Sequence, residues 1–188
     1  LGAAFILALS GTGLLGCSDA AQQPSADSLV ELDASVGAAG SVQIQPQGFT
    51  TVQARITAAD GDVREVCLWL ADNADERSRG LMGVTDLGDA VGMAFQFEAP
   101  TSRSFYMFQT PTPLSIAWFA PDGRYVGSVD MTPCRDTSPG DCQLYSPGRQ
   151  YDVAIEVFAG GLAELGIGPG SSVELIDAGD SDGCPATP

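Results

Sequence analysis

The central part of the chain, residues 79–123, alternates short apolar segments with closely spaced glycines and prolines. A segment of about six residues between such breaks has the length of a strand rather than of a typical helix. Predicted strands cover residues 92–97, 104–109, 115–120, 125–131, 151–158 and 173–176. The sequence therefore predicts a mostly β fold, either an antiparallel β-sandwich or a closed barrel of short strands.

The part before this segment predicts three further strands and a helix. Alternating apolar residues indicate strands at 42–44 and 52–56, and the pattern at 63–71 becomes continuously apolar, which favours a central strand. Asn73 with Glu76 three residues later resembles a capping box, so we expect a short helix over residues 74–81. A second helical turn is expected at 160–165, which gives one or two short helices in all.

The first sixteen residues are apolar and uncharged, which is typical of a signal peptide, here one that is truncated at its start. The segment 14–17 resembles a bacterial lipobox, so we expect Cys17 to carry the lipid. The alternative is an ordinary signal peptide with an incidental cysteine. A small, polar segment follows and predicts a flexible tether over 17–40, then a β-rich domain over 41–177 and an acidic tail over 178–188.

Composition restricts both the chemistry and the partners. The chain has no His and no Lys, and its formal net charge is −16. The absence of His excludes a Ser-His-Asp triad, a Cys-His pair and a His-liganded zinc site, and the absence of Lys excludes a Schiff base. Nucleic acid is a poor partner for so acidic a chain. No catalytic residue and no cofactor is predicted.

Four cysteines remain if Cys17 is acylated, and outside the cytoplasm an even number suggests disulfides with three possible pairings. We favour Cys134–Cys142, which closes a short loop, and with it Cys67–Cys184, which would attach the tail to the sheet. A four-cysteine metal site is the alternative, although the C-x₇-C spacing lacks the short separation of typical zinc ligands.

Several landmarks in the right order resemble the family called domain of unknown function 192 (DUF192). They are R-G-L-M-G at 79–83, G-M-A-F-Q-F at 92–97, F-Y-M-F-Q-T at 105–110, P-L-S-I at 113–116, D-G at 122–123, C-Q-L-Y-S at 142–146 and I-E-V-F-A-G at 155–160. The resemblance covers residues 63–176. It implies a compact β-rich domain, often exported or lipid-anchored, without an established activity. Where the family usually has Lys, Asn and Asp, this chain has Phe108, Gln109 and Ser115.

Candidate site residues lie on these landmarks. Thioethers bind Cu(I), so Met82, Met93 and Met107 predict a soft-metal site; the alternative is that they fill gaps in the core. Arg79, together with Arg77, could bind a carboxylate or phosphate, or could form salt bridges with the acidic surface. The candidate ligand-binding set is Arg79, Met82, Met107, Gln109 and Ser115.

These observations predict a lipid-anchored, extracytoplasmic binding or accessory module of the cell envelope. Its expected partners are the membrane, through the anchor, and an unidentified small molecule or envelope protein. One alternative function is a hydrolase or transferase that uses carboxylates near Arg79 and Gln109, which would need two acids with divergent pKa values. The other is a Met-based Cu(I) carrier.

Overall fold

The computed structural model describes residues 42–176 and Cys184. The predicted signal peptide (1–16), the lipidation site Cys17, the tether (17–40) and all of the acidic tail except Cys184 lie outside the described residues.

The described chain is mostly β, as predicted, with seven strands and two short helices. In order they are β1 (Thr50–Thr57), β2 (Val63–Ala71), α1 (Ala74–Arg79), β3 (Gly92–Thr101), β4 (Leu114–Phe119), β5 (Tyr125–Met131), β6 (Tyr151–Phe158), α2 (Gly161–Glu164) and β7 (Ser172–Ile176). A 3₁₀ turn, Pro139–Asp141, precedes β6.

The strands form one mixed sheet in the order β5-β4-β6-β3-β2-β1-β7. All neighbours pair antiparallel except β2 and β3, which run parallel from Leu68 opposite Gly92 to Ala71 opposite Phe95. The prediction of a purely antiparallel sheet is therefore wrong. Residues 72–91, which include α1, form a connection long enough to cross over and bring the chain back in the same direction.

The sheet is not closed. Its two edge strands, β5 and β7, approach one another at one corner, where Arg124 and Ser172 form an isolated bridge. At this corner the Tyr125 amide donates to the Ser171 carbonyl at 3.0 Å, and the Val173 amide donates to the Gly123 carbonyl at 2.8 Å.

Two predicted strands are absent. Residues 42–44 pair with a loop, because the Ile44 carbonyl accepts hydrogen bonds from the Thr85 and Asp86 amides at 2.9 and 3.1 Å. Residues 104–109 form only isolated bridges, at Phe105 and Phe108. Gln109 then adopts φ 53°, which ends the extended conformation. Apolar alternation was present in both segments, but Met107 packs in the core without extending the sheet, and Val42 and Ile44 are exposed.

Side chains of the sheet alternate between two apolar clusters, as the period of two in a strand requires. The first cluster includes Trp69, Met93, Phe95, Ile116 and Trp118 and is covered by buried residues of the loop segments 81–90 and 105–110. The second is covered by α2 and the segment that follows it. Strand β6 lies between β3 and β4, and Glu156 is its one fully buried charged residue, whereas Asp152 near its start is half-buried.

Two disulfide bonds join Cys134 to Cys142 and Cys67 to Cys184, the two pairings that the sequence favoured. The second bond joins residue 184 to strand β2.

Candidate functional site

Helix α1 positions two arginines beside the first apolar cluster. The Asn73 side chain accepts a hydrogen bond from the Glu76 amide at 3.1 Å, which caps the helix as predicted. The helix ends at Gly80, which adopts φ 47° and packs so closely on the Phe95 ring that a Cβ atom would lie 3.2 Å from it. Arg77 and Arg79 therefore lie in the last turn, at the rim of a cavity.

This cavity has a volume of about 200 Å³ and is formed by α1, the following turn, β3, the segment 103–106 and β6. Three of its lining residues are arginines, Arg77, Arg79 and Arg103. Four are aromatic: Phe95, Phe97, Phe105 and Tyr106. The remaining lining residues that matter for chemistry are Met82, Thr110 and Glu156.

Within the described residues, Arg77 and Arg79 contact aromatic rings and backbone carbonyls rather than acids. Arg77 lies over Phe97, 4.9 Å from the ring centroid, and its Nη1 donates to the carbonyls of Asp72 and Gln96. The Nε atom of Arg77 is buried without a hydrogen-bond partner. Arg79 lies 4.2 Å from the centroid of the Phe49 ring. The predicted salt bridges of Arg77 and Arg79 with the acidic surface are absent from the described part of the chain.

Ion pairs in residues 42–176 involve other arginines. Arg55 pairs with Glu65 and Glu174, and Arg64 and Arg124 pair with neighbouring aspartates. None of the three cavity arginines joins an ion pair within this range. No ion pair within the described residues therefore has to break when an anion enters the cavity.

Glu156 contributes a buried carboxyl group to the same cavity. Glu156 lies opposite Met93 of β3 on one side and opposite Ile116 of β4 on the other, and only 4% of its surface is exposed. Burial disfavours the charged form and raises the pKa of Glu156 to about 8, so the group is mainly protonated at neutral pH. Within the described residues, no hydrogen bond or ion pair reaches this carboxyl group.

The candidate ligand-binding residues do not gather at one place. Arg79 and Met82 line the cavity, whereas Met107 is 1% exposed within the first apolar cluster. Gln109 is exposed, and its carbonyl accepts from the Gly83 amide at 2.8 Å. The buried Ser115 hydroxyl donates to Asp130 at 2.5 Å and accepts from the Gly160 amide at 3.0 Å, which indicates a structural role.

The three methionines also differ in environment. Met93 and Met107 belong to the first apolar cluster, and Met82 lines the cavity. Met93 lies on β3 and is fully buried. The hypothesis of a Cu(I) site at these sulfurs stays a prediction. A titration against a competing Cu(I) chelator would check it.

Sequence reasoning missed Glu156 and Arg103 as site residues. A signal for Glu156 existed, because it is the single charge in the otherwise apolar run V-A-I-E-V-F of a strand that is buried on both faces. Arg103 lies in a polar segment, and nothing in the residues around it distinguishes it from an ordinary surface arginine.

One other group of possible metal ligands is found among the described residues, formed by Cys134, Asp136 and Cys142. Both cysteines are joined in a disulfide and so offer no thiolate for a metal. No described helix has the length and apolar character that crossing a bilayer would require.

Comparisons with known proteins support the fold. The family model DUF192, described as "Uncharacterized ACR", matches residues 55–175. A Sinorhizobium meliloti protein described as a "putative transcription regulator" is 23% identical, with a TM-score of 0.59 over 72% of this chain and 98% of that one. A Novosphingobium aromaticivorans protein of unknown function is 28% identical, with a TM-score of 0.59 over 71% and 91% of the two chains. No curated protein matches.

Proposed function

Because the chain belongs to DUF192, a family described as uncharacterised, we propose its function from the cavity itself: the protein is a binding module that holds a small anionic ligand. Arg77, Arg79 and Arg103 would bind the anionic group, and the aromatic rings would contact the rest of the ligand.

One observation carries this proposal. The chain has eight arginines and a formal net charge of −16, so acidic partners are abundant. Three arginines nevertheless line one cavity without an ion pair within the described residues. A guanidinium group offers several N–H donors in a plane, which suits a carboxylate or a phosphate. An entering anion would therefore gain charge-assisted hydrogen bonds without first displacing a carboxylate of the described residues.

The cavity gives less support to the alternative of a carboxylate-based hydrolase or transferase. That chemistry needs two acids whose pKa values are pushed apart. Glu156 is the single acid among the described residues that line the cavity. We therefore favour binding.

We place this module outside the cytoplasm. The two disulfides support an oxidising compartment, because such bonds persist outside the cytoplasm and are rare within it. In this proposal a lipid on Cys17 tethers the domain to a membrane of the cell envelope, and the ligand is a small molecule or a group presented by an envelope protein. Nucleic acid is disfavoured as a partner by the net charge.

The anion site can be tested by isothermal titration of the full-length chain with short carboxylates and with inorganic phosphate. Each charge-assisted hydrogen bond contributes about 1.5–3 kcal/mol, so Arg103→Gln should weaken binding by about tenfold or more. Arg103 suits this test because its side chain has no hydrogen bond or ion pair within the described residues, so the fold should be unaffected.

Arg124→Gln is the matched control. It removes the same charge from an exposed turn, where Arg124 pairs with Asp122 at 2.7 Å. The control should bind as the unmodified protein does. Equal losses in both variants would show a general charge effect rather than a site, and the absence of any binding in the unmodified protein would contradict the proposal.

The anchor has its own test. Cys17→Ala should abolish incorporation of a labelled fatty acid and release the protein from the membrane fraction. Unchanged membrane retention without any lipid label in the unmodified protein would contradict the lipidation proposal, and would leave the cavity proposal unaffected.

A further inference from the structure

The cavity keeps positive and negative groups apart. Three guanidinium groups and the carboxyl group of Glu156 line the same space of about 200 Å³. No ion pair joins them, and the cause of the high pKa of Glu156 is burial alone, with no opposing contribution from an arginine. A long arginine side chain on the same cavity would be expected to reach an acid that has no partner among the described residues, unless something restrains it.

The fold supplies that restraint. Arg77 is fixed by the Phe97 ring and by its hydrogen bond to the Gln96 carbonyl at 2.8 Å, and Arg79 lies over the Phe49 ring. Glu156 belongs to a strand that pairs on both sides, so its backbone cannot shift towards the rim. For Arg77 and Arg79 the separation from Glu156 therefore follows from contacts of the fold, whereas the Arg103 side chain has no such contact among the described residues.

The lining and the volume of the cavity restrict which ligand can contact both the arginines and Glu156. Phe95 and Phe105 meet edge to face with centroids 5.0 Å apart, and Phe97 and Tyr106 also line the cavity. The faces of such rings attract ammonium groups. The cavity volume of about 200 Å³ is below the range of about 300–1,000 Å³ that is typical of drug-sized ligands, so we expect a small ligand.

We propose that the ligand is a small zwitterion of the amino acid class, with its carboxylate bound by the arginines and its ammonium group placed against Glu156. This proposal rests on the proposed function, because it assigns the anionic end of the ligand to the same arginines. A neutral Glu156 loses its proton to solvent when an ammonium group binds beside it, so binding releases up to one proton.

The proton release makes the affinity depend on pH. The other ionisable groups on the cavity are Arg77, Arg79, Arg103 and Tyr106, while β3 and β4 present apolar side chains to Glu156 on this face. Affinity for a zwitterion should rise by up to about tenfold per pH unit as pH increases to about 8, because fewer sites must then release a proton. A simple carboxylate, which has no ammonium group, should not show this rise.

The experiment compares matched ligand pairs by isothermal titration of the full-length chain. Each amino acid is paired with the acid that lacks its amino group: glycine with acetate, β-alanine with propionate, and 4-aminobutyrate with butyrate. Titrations in two buffers of different ionisation enthalpy, neither containing a carboxylate or phosphate group, count the protons released. We expect at least one amino acid to bind tenfold or more tightly than its partner at pH 8, and to release close to one proton at pH 6.5.

Glu156→Gln should remove both the preference for the amino acid and the proton release, while short carboxylates still bind. Glu98→Gln makes the same chemical change at an exposed residue of β3 and should alter neither. If the carboxylates bind and no amino acid exceeds its partner, the zwitterion proposal is wrong and the anion site stands. If neither class binds, both proposals are wrong.

Discussion

The buried Glu156 should make the stability of the domain fall as pH rises. Its pKa is about 8 in the folded protein against an ordinary value of 4.5. Between these values the folded chain keeps a proton that the unfolded chain releases, so the unfolded state binds fewer protons and increasing pH favours unfolding. The contribution is fully present below pH 4.5 and is lost as pH rises through the folded pKa of about 8.

The size of the effect follows from the same two pKa values. A difference of about 3.5 pKa units, at about 1.4 kcal/mol per unit, amounts to about 5 kcal/mol. Because Glu156 is 4% exposed, solvent screening reduces this value little. A typical domain has a free energy of unfolding of about 5–15 kcal/mol, so this one side chain can control whether the protein stays folded in mild alkali.

The measurement is urea denaturation of the unmodified protein and Glu156→Gln, with disulfides intact, at several pH values between about 5 and 8. The free energy of unfolding of the unmodified protein should fall, relative to the variant, by about 1.4 kcal/mol per pH unit. Taking the difference between the two proteins cancels the contribution of Asp152, whose pKa is also raised by burial. Parallel curves for the two proteins would refute the reasoning, because they would mean that Glu156 titrates as an exposed acid does.

Two further substitutions test how the strands and the helix position the site. Gly92→Ala should destabilise the domain by about 2 kcal/mol or more, because the new Cβ would lie 2.2 Å from the Glu156 carbonyl oxygen of the adjacent strand. The control, Gly168→Ala, should change the denaturation midpoint little, because no atom lies within 4 Å of its new Cβ. Equal effects of the two substitutions would contradict the close approach of β3 to β6. Asn73→Ala should lower the free energy of unfolding by about 1 kcal/mol, because it removes the cap on the Glu76 amide, and it should also weaken anion binding. Asn73→Asp should preserve both the stability and the anion binding. A loss of the same size in the aspartate variant would contradict the capping role.

Local features of the fold were predictable from the sequence because neighbouring residues determine them. The Asn73 cap and the strand at 63–71 each depend on a few adjacent side chains. Strand direction depends instead on where a long connection packs. The parallel pairing of β2 with β3 arises from the path of residues 72–91, and no short pattern encodes that path.

The site was harder to predict than the fold because its residues are distant in sequence. Arg79 and Met82 were found through local landmarks, but Arg103 and Glu156 join them only after β3 and β6 pair. Ser115 was selected by its position in a family landmark, yet its hydroxyl is used within the fold, by Asp130 and the Gly160 amide. Sequence patterns show which residues are unusual, whereas tertiary pairing decides which of them meet.

The position of Glu156 is best explained by function rather than by stability. An apolar residue would avoid the desolvation cost of an acid in a strand that is buried on both faces. The chain instead keeps a carboxyl group that has no partner among the described residues, in a cavity that it shares with Arg103 and with Arg77 and Arg79, whose side chains lie over aromatic rings. Groups that are both costly to bury and unsatisfied within the fold concentrate at functional sites. By this reasoning Glu156→Leu should yield a more stable protein above neutral pH that has lost the proton release on binding, and a destabilised leucine variant would indicate that the acid serves the fold itself.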